Sequence, residues 1–334
     1  MNIAIIILNW NGAQLLQQFL PSIIKYSPKE IADIYVVDNN SSDDSISILK
    51  ENFPQVHIVQ NEINGGFAKG YNDGLKQIDA EYYALVNSDI EVSENWLQPI
   101  LAHFKTHPNT AIIQPKILDF KNKSKFEYAG AAGGLIDKYG YAYCRGRIFD
   151  TVEEDNNQYH DAPIFWASGA CFFVKTEVFK NLNGFDENYF AHYEEIDLCW
   201  RIQNLKFDID FVPESTVYHV GGATLNQLNP KKTFLNFRNS LLTLLKNAPK
   251  DGLFLLILTR LVLDGVAGIK FLFNLKPKHT LAILKAHLSF YTLVNEYLKL
   301  RKEIASKKRG YYHTKSIVWS YYIKGQKTFS KLIK

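Results

Sequence analysis

Three short polar clusters carry the residue types that could do chemistry. Asn87-Ser88-Asp89 follows the apolar run from Tyr82 to Val86, Glu194, Glu195 and Asp197 fall within four positions, and His219 precedes Gly221-Gly222. A carboxylate such as Asp89 suits a hard cation, and neutral imidazole is the commonest side-chain metal ligand. An unpaired Glu or Asp can serve as a general base. Each cluster also has a structural explanation. Asn, Ser and Asp favour turns and helix caps, acids at a helix amino terminus suit its dipole, and a lone histidine is more often structural.

The acidic cluster opens a predicted helix. Glu194 and Asp197 are three apart and share a face, Asp197 and Arg201 are four apart and can pair, and Glu195 points elsewhere. One carboxylate is therefore left free to take a proton, and the choice among Glu194, Glu195 and Asp197 stays open at this point.

The elements that must position these groups follow from the apolar runs. Ile3 to Leu8, Ile34 to Val37, Val56 to Val59 and Tyr83 to Val86 are short enough for buried parallel strands. Helices are expected over Gln14 to Tyr26 and up to about Asn52, the second capped by Ser41 or Ser42. This alternation predicts an α/β fold with a doubly wound, nucleotide-binding half, whose ligands gather at the strands' carboxyl ends. Asp38 ends the second strand and is either a helix cap or a group facing a nucleobase. Gly65, Gly66 and Gly70 serve turn geometry or let backbone approach a phosphate. Neither a G-x-G-x-x-G fingerprint nor a G-x-x-x-x-G-K-[ST] loop is present, which disfavours hydride transfer and P-loop ATPase chemistry.

Farther on, Ser93 to His107 is expected as a capped helix and Ala111 to Pro115 as a strand, followed by long loops to Asp161. Phe165 to Val174 places Gly169 and Ala170 between bulky residues, which permits close approach of a ligand or backbone. Phe207 to Val212 is a strand, and Lys231 to Asn247 a helix containing Arg238-Asn239.

Composition bounds the remaining classes. With 334 residues, 46% hydrophobic and 22% charged, the chain is that of an ordered globular protein. Cys144, Cys171 and Cys199 are too few and scattered for a zinc site or disulfide framework and are expected as reduced thiols in a cytosolic protein. The apolar amino terminus lacks a basic leader and reads as a strand. Residues 301–334 carry ten Lys or Arg and one Glu, which leaves residues 1–300 at −5 against a total of +4. Such a basic segment implies an anionic partner. Gly252 to Leu275 is long enough to span a bilayer, but Arg260, Asp264 and Lys270 favour a helix at the membrane interface or packed on the catalytic unit. His279 to Glu303 is a further amphipathic helix. The last segment mixes basic residues with Tyr and Trp, which suits an anionic lipid surface, and no nucleic-acid motif accompanies it.

Taken in order, the motifs resemble the family 2 glycosyltransferases. They are Ile-Ile-Ile-Leu-Asn-Trp-Asn, Val-Val-Asp-Asn-Asn-Ser, Asn-Gly-Gly-Phe-Ala-Lys-Gly-Tyr-Asn, Leu-Val-Asn-Ser-Asp, Gly-Phe-Asp-Glu, Glu-Glu-Ile-Asp-Leu-Cys-Trp-Arg and His-Val-Gly-Gly. Within that family the chain looks most like rhamnosyltransferase-type enzymes of bacterial surface polysaccharides, over about residues 1–247. The resemblance implies a GT-A (Rossmann-like) mixed sheet flanked by helices, a nucleotide-diphospho-sugar donor, Mg²⁺ or Mn²⁺, inversion, and a glycan or lipid-linked glycan acceptor. It implies that Asp38 contacts the nucleobase, and that Asn9 and the loop from Asn64 through Gly65 and Gly66 to Asn72 line the donor. Asp89 would hold the metal, with His219 completing the site, and Glu195 would be the base. Asn87 replaces the first Asp of the usual Asp-x-Asp, so Asn87 and Ser88 are expected on the donor or the backbone, and metal binding without donor is expected to be weak. The expected organisation is a catalytic domain over 1–247, a helical appendage over 248–305 and a basic aromatic tail over 306–334, located in the cytoplasm at the inner membrane face. A sugar nucleotidyltransferase and a catalytically silent nucleotide-sugar-binding subunit are the alternatives.

Overall fold

The computed structural model describes residues 2–221, 229–304 and 307–333. Gly222, expected beside His219, and residues 305 and 306, at the expected end of the appendage, lie outside the described residues.

The first half alternates strand and helix: β1 (Ile3–Asn9), α1 (Ala13–Tyr26), β2 (Ala32–Asp38), α2 (Ser45–Asn52), β3 (His57–Gln60), α3 (Gly66–Leu75) and β4 (Tyr82–Asn87). β1 pairs in parallel with both β2 and β4, with Asn9 opposite Asp38 and Leu8 opposite Asn87. The register thus sets three polar strand ends side by side. Ile3, Ile5 and Ile7 enter one core, while Ala4 and Ile6 enter the core on the other face. That alternation explains the unbroken aliphatic run, since both faces of the sheet are covered.

The chain continues through β5 (Ile90–Val92), α4 (Gln98–Thr106), β6 (Thr110–Asp119), β7 (Gly134–Ile136), β8 (Ala142–Cys144), β9 (Arg147–Ile148), β10 (Thr151–Val152) and β11 (Ala162–Pro163). Then come β12 (Cys171–Lys175), α5 (Thr176–Asn181), α6 (Glu194–Asn204) and β13 (Asp208–His219). The main sheet runs β11-β13-β6-β12-β4-β1-β2-β3, with β5 on β13, and β7 to β10 form a separate four-stranded sheet. β12 is antiparallel to its neighbours β4 and β6, so the large sheet is mixed, as expected. Helices α7 (Pro230–Asn247), α8 (Leu253–Phe273), α9 (Pro277–Glu303), α10 (Ile317–Tyr322) and α11 (Phe329–Leu332) complete the chain.

Several elements differ from expectation for physical reasons. The glycine-rich stretch expected as a loop is mostly helix α3. A Cβ on Gly70 would lie 2.9 Å from the Asn39 amide, and one on Gly74 would lie 2.5 Å from Val37. The glycines form the face on which the helix packs closely against β2. Asp44, rather than Ser41 or Ser42, occupies the position before α2, and Ser41 Oγ instead accepts from Asn11 N at 2.9 Å. Helix α4 starts only at Gln98, after Asn95 takes a left-handed φ of 58°. The stretch expected as loops contains the small sheet. The basic segment is not a free tail: Tyr311, Ile317 and Tyr321 enter the same core as Phe165 and Trp200. Ile317 N also donates to the buried Asp137 carboxylate at 2.9 Å.

Candidate active site

The strand ends of β1 and β2 meet through side chains. Asn9 Nδ2 donates to Asp38 Oδ1 at 3.0 Å, and Ser41 N donates to Asp38 Oδ2 at 2.9 Å. Asn9 Oδ1 is buried without a hydrogen-bond partner among the described residues. A Cβ on Gly12 would sit 2.4 Å from that oxygen and 3.8 Å from Ser88 Oγ. Gly12 thus lets the chain pass close to this unfilled acceptor, and an orphaned buried oxygen is where a ligand donor gains most.

A chain of amides ties this edge to α3. Asn61 Nδ2 donates to Asn39 Oδ1 at 3.1 Å and to Gly70 O at 3.0 Å. Asn39 Nδ2 donates to Asn64 Oδ1 at 2.9 Å and to Gly66 O at 3.0 Å. Gly66 has φ +81°, and a Cβ there would lie 2.7 Å from Phe190 O. Phe67 N donates to that same carbonyl at 2.8 Å. The close approach that Gly66 permits is therefore to the backbone before α6, while a Cβ on Gly65 would lie 2.8 Å from Lys69 Cβ within the first turn of α3. Asn72 is engaged elsewhere than the donor edge. Its amide exchanges hydrogen bonds with the Phe185 N–H and C=O, both at 2.9 Å, and latches the Gly184-Phe185 turn.

Asp89 and His219 face each other. His219 Nε2 lies 3.1 Å from Asp89 Oδ1, and its Nδ1 lies 3.4 Å from Glu127 Oε2. Backbone pairing fixes this, since His219 is opposite Ile90 and Val220 N donates to Asp89 O at 3.2 Å. Asn87 Nδ2 is 3.5 Å from the same imidazole nitrogen. Burial disfavours charge on His219, but the two carboxylates outweigh it and push its pKa up to about 10. Asp89 and His219 are the residues that would hold a divalent cation here, once the imidazole is neutral. Among the described residues no group of three or more His, Cys, Asp or Glu side chains could hold a metal by itself. The pair therefore fits a cation whose remaining ligands come from a diphosphate, rather than a resident ion.

The acidic cluster divides into one ion-paired carboxylate and two whose charge burial disfavours. Asp197 is fully buried and accepts from Arg201 Nε at 2.7 Å, Lys246 Nζ at 3.0 Å and Asn247 Nδ2 at 2.7 Å. Burial raises its pKa, but the two cations outweigh burial and leave it lowered. It is a permanently ionised anchor. Glu194 and Glu195 each keep an Oε2 buried and without a hydrogen-bond partner among the described residues. Burial, then repulsion by Glu195, raises Glu194 well above the ordinary range. Burial also raises Glu195, but backbone N–H groups at the start of α6 hold it to about 7. A carboxylate titrating near neutrality is matched to proton abstraction, whereas a protonated one is not.

The backbone feeding α6 is strained and clamped. Phe190, His192 and Tyr193 all have positive φ. Asn239 Nδ2, buried on α7, donates to the carbonyls of Tyr189, Ala191 and His192 at 3.1, 3.0 and 2.7 Å. Gly169 connects the two halves of the site. Asn87 N donates to Ala170 O at 2.9 Å, and a Cβ on Gly169 would lie 3.9 Å from the Glu195 carboxyl carbon. Asn87, at the end of β4 and two residues before Asp89, and Glu195 thus flank one short backbone segment. Glu127, Lys246, Asn39 and Asn61 carried no spacing signal in the sequence, because only the fold brings them to His219, Asp197 and α3.

The family model described as "Glycosyl transferase family 2" matches residues 4–182. The chain is similar to N-acetylglucosaminyl-diphospho-decaprenol L-rhamnosyltransferase of Mycobacterium tuberculosis, with 23% identity over 220 residues, 61% of this chain and 71% of that protein. It is also 23% identical over 249 residues to the low-salt glycan biosynthesis hexosyltransferase Agl10 of Haloferax volcanii, covering 72% of this chain and 75% of that one. Among solved structures, GalNAc-T7 with UDP, GalNAc and Mn²⁺ superposes with a TM-score of 0.64 at 16% identity, over 98% of this chain but only 57% of its own. The mannosyltransferase PcManGT of Pyrobaculum calidifontis, in complex with GDP-Man and Mn²⁺, gives 0.53 at 14% identity over 90% and 84%. These likenesses show a GT-A fold.

Proposed function

Because the chain belongs to glycosyl transferase family 2, we propose that it moves a hexose from a nucleotide-diphospho-sugar to a hydroxyl of a polysaccharide or lipid-linked glycan precursor, with inversion. The observation that carries this reading is the pairing of a donor edge with a free carboxylate. The unfilled Asn9 Oδ1 and the Asp89–His219 pair lie at the ends of β1, β4 and β13, and Glu195 stands across Gly169.

In this reading Asp38, Asn9, Asn64, Gly65, Gly66, Asn87 and Ser88 form the donor edge, and Asn72 holds the Gly184 turn beside it. Asp89 and His219 would hold Mg²⁺ or Mn²⁺, which supplies charge stabilisation to the departing diphosphate when bound. Glu195 takes the acceptor proton, while burial disfavours the charged form of Glu194 beside it and Asp197 anchors the helix. One base opposite one leaving group gives a single displacement and hence inversion. Rhamnose is the favoured sugar, through likeness to a rhamnosyltransferase. The catalytic unit is 1–247, the appendage 248–305 and the basic segment 306–334, placed at the cytoplasmic membrane face of the cell envelope.

Thermal shift against UDP, GDP and dTDP, each with and without Mn²⁺, followed by turnover of the matching sugar donors, tests the proposal. A cation-dependent stabilisation and release of nucleoside diphosphate are expected. Release of pyrophosphate instead would make the protein a nucleotidyltransferase, and binding without turnover across an acceptor panel would make it a silent binding subunit.

A further inference from the structure

Helix α8 is inside out. Its buried residues are Arg260, Asp264 and Gly268, while Phe254, Leu258, Val262, Val266, Ile269 and Phe273 are 46–84% exposed. The spacing of the two sets, three or four residues, puts charge on the inward face and hydrocarbon on the outward one. The inward charges are satisfied. Arg260 donates to Asp264 at 2.8 Å, to Tyr139 O at 3.0 Å and to Ser240 Oγ at 2.8 Å, and Tyr141 OH donates to Asp264 at 3.1 Å. The helix is thus held in this rotation by buried ion pairing, and a contiguous apolar stripe is left open to solvent. Such a stripe marks an interaction surface.

Charge identifies what covers it. Between residues 252 and 294 the one acidic residue is the buried Asp264, while Lys270, Lys276, Lys278 and Lys285 are all exposed. Residues 307–333 contain seven Lys or Arg and no acid. That segment lies against α8, because Lys270 Nζ sits 4.2 Å above the Tyr322 ring, and Trp319 and Ile323 beside it are 55% and 63% exposed. A second copy would bring like charges together. An anionic lipid surface instead accepts the hydrocarbon stripe, the rim of lysines and an interfacial Trp at once. No helix among the described residues is long and apolar enough to cross a membrane, which fits insertion along the surface rather than through it.

We infer that the outward face of α8, with Trp319 and Ile323 of the adjoining segment, embeds in the headgroup region of an anionic bilayer leaflet. This deepens the membrane-surface part of the proposed function and rests on that part, not on the donor or metal assignments. The test is co-sedimentation of the full chain with vesicles of phosphatidylglycerol and phosphatidylcholine, compared with phosphatidylcholine alone, for the wild type and for V262E/I269E. The wild type is expected to partition onto anionic vesicles, less onto neutral ones and less at high salt, and the variant to lose about tenfold or more of its partitioning. Circular dichroism and donor hydrolysis in the vesicle-free sample check that the variant is folded, and neither should change. A failure of the glycosyltransferase reading would appear in the hydrolysis arm alone. Equal binding of variant and wild type, or no binding by either, overturns the inference. A concentration-dependent dimer abolished by the variant would overturn it in favour of a self-interface.

Discussion

Tyr297 of α9 donates its hydroxyl to Asp186 Oδ2 at 3.0 Å, which joins the carboxyl-terminal helices to the loop that leads into the acidic cluster. Lys246 bridges the same Asp186 oxygen, at 2.8 Å, to Asp197 at 3.0 Å. The appendage is therefore a support for the start of α6, where Glu194 and Glu195 stand. Replacing Lys246 with Met leaves two buried carboxylates short of a cation. The expected loss is about 3 kcal/mol or more of unfolding free energy in denaturant titration. Tyr297→Phe removes one hydrogen bond and should cost about 1 kcal/mol. Equal, negligible losses would show that the two helices are not coupled to the cluster in this way.

The division of labour among the three acids makes a second prediction. Glu195→Gln should lower kcat by about 10²- to 10⁴-fold while leaving donor affinity unchanged, since it removes only the proton acceptor. Glu194→Gln should be far milder, because burial and the neighbouring Glu195 already disfavour its charged form. Asp197→Asn should act through stability, as it unpairs Arg201 and Lys246. Steady-state kinetics with melting curves on all three separate these outcomes, and a Glu194→Gln defect as deep as that of Glu195→Gln would reassign the base.

Gly66 is where the donor edge touches the backbone before α6. Gly66→Ala forces a Cβ to within 2.7 Å of Phe190 O at a φ of +81°. Both the left-handed conformation and the clash oppose it, so a loss of about 2 kcal/mol or more is expected in thermal or urea unfolding. Gly65→Ala brings a Cβ to 2.8 Å from Lys69 Cβ but at an ordinary φ of −82°, so it lacks the backbone strain and a smaller loss is expected. If the two variants melt alike, the close approach at Gly66 is not what holds these segments together.

These contrasts explain what could be read from the chain before its structure. Buried strands such as Ile3–Asn9 announce themselves because every residue faces one core or the other, and Asp197 with Arg201 announces itself because helical spacing is local. Helix α3 did not, since glycine lowers helix propensity while its packing benefit, contact with Asn39 and Val37, is tertiary. Glu127 did not, because no local pattern places an irregular segment against His219. The basic end of the chain read as a tail suited to an anionic surface, yet Tyr311, Ile317 and Tyr321 reach the core while most of its lysines stay outside.

Glu127 gives the metal assignment a test that does not depend on turnover. Asp89→Ala and His219→Ala should each abolish the additional thermal stabilisation that Mn²⁺ gives with a nucleoside diphosphate, as should a chelator. Glu127→Gln leaves both proposed ligands in place but removes the negative charge beside His219 Nδ1. Outer-shell changes of this kind weaken metal affinity by about 10- to 100-fold, which titration calorimetry would read. An unaltered Mn²⁺ response in Asp89→Ala would remove that residue from the site.

The ionisation that would activate Glu195 also destabilises the fold. Burial keeps Glu195 protonated in the folded chain up to about pH 7, whereas the unfolded chain releases that proton near its ordinary value of about 4.3. Between those limits the folded state binds more protons than the unfolded state, so stability falls as pH rises and levels off above about 7. Allowing for partial solvent access, the drop is on the order of 2 kcal/mol for this one group. Activity must move the other way, because the base works only when ionised, and kcat/KM is expected to climb as pH passes about 7. Glu195→Gln should flatten this part of the stability profile as well as remove the activity. A kcat/KM profile that is level from pH 5 to pH 8, with the wild type's stability slope intact in the variant, would mean that Glu195 is neither the raised group nor the base.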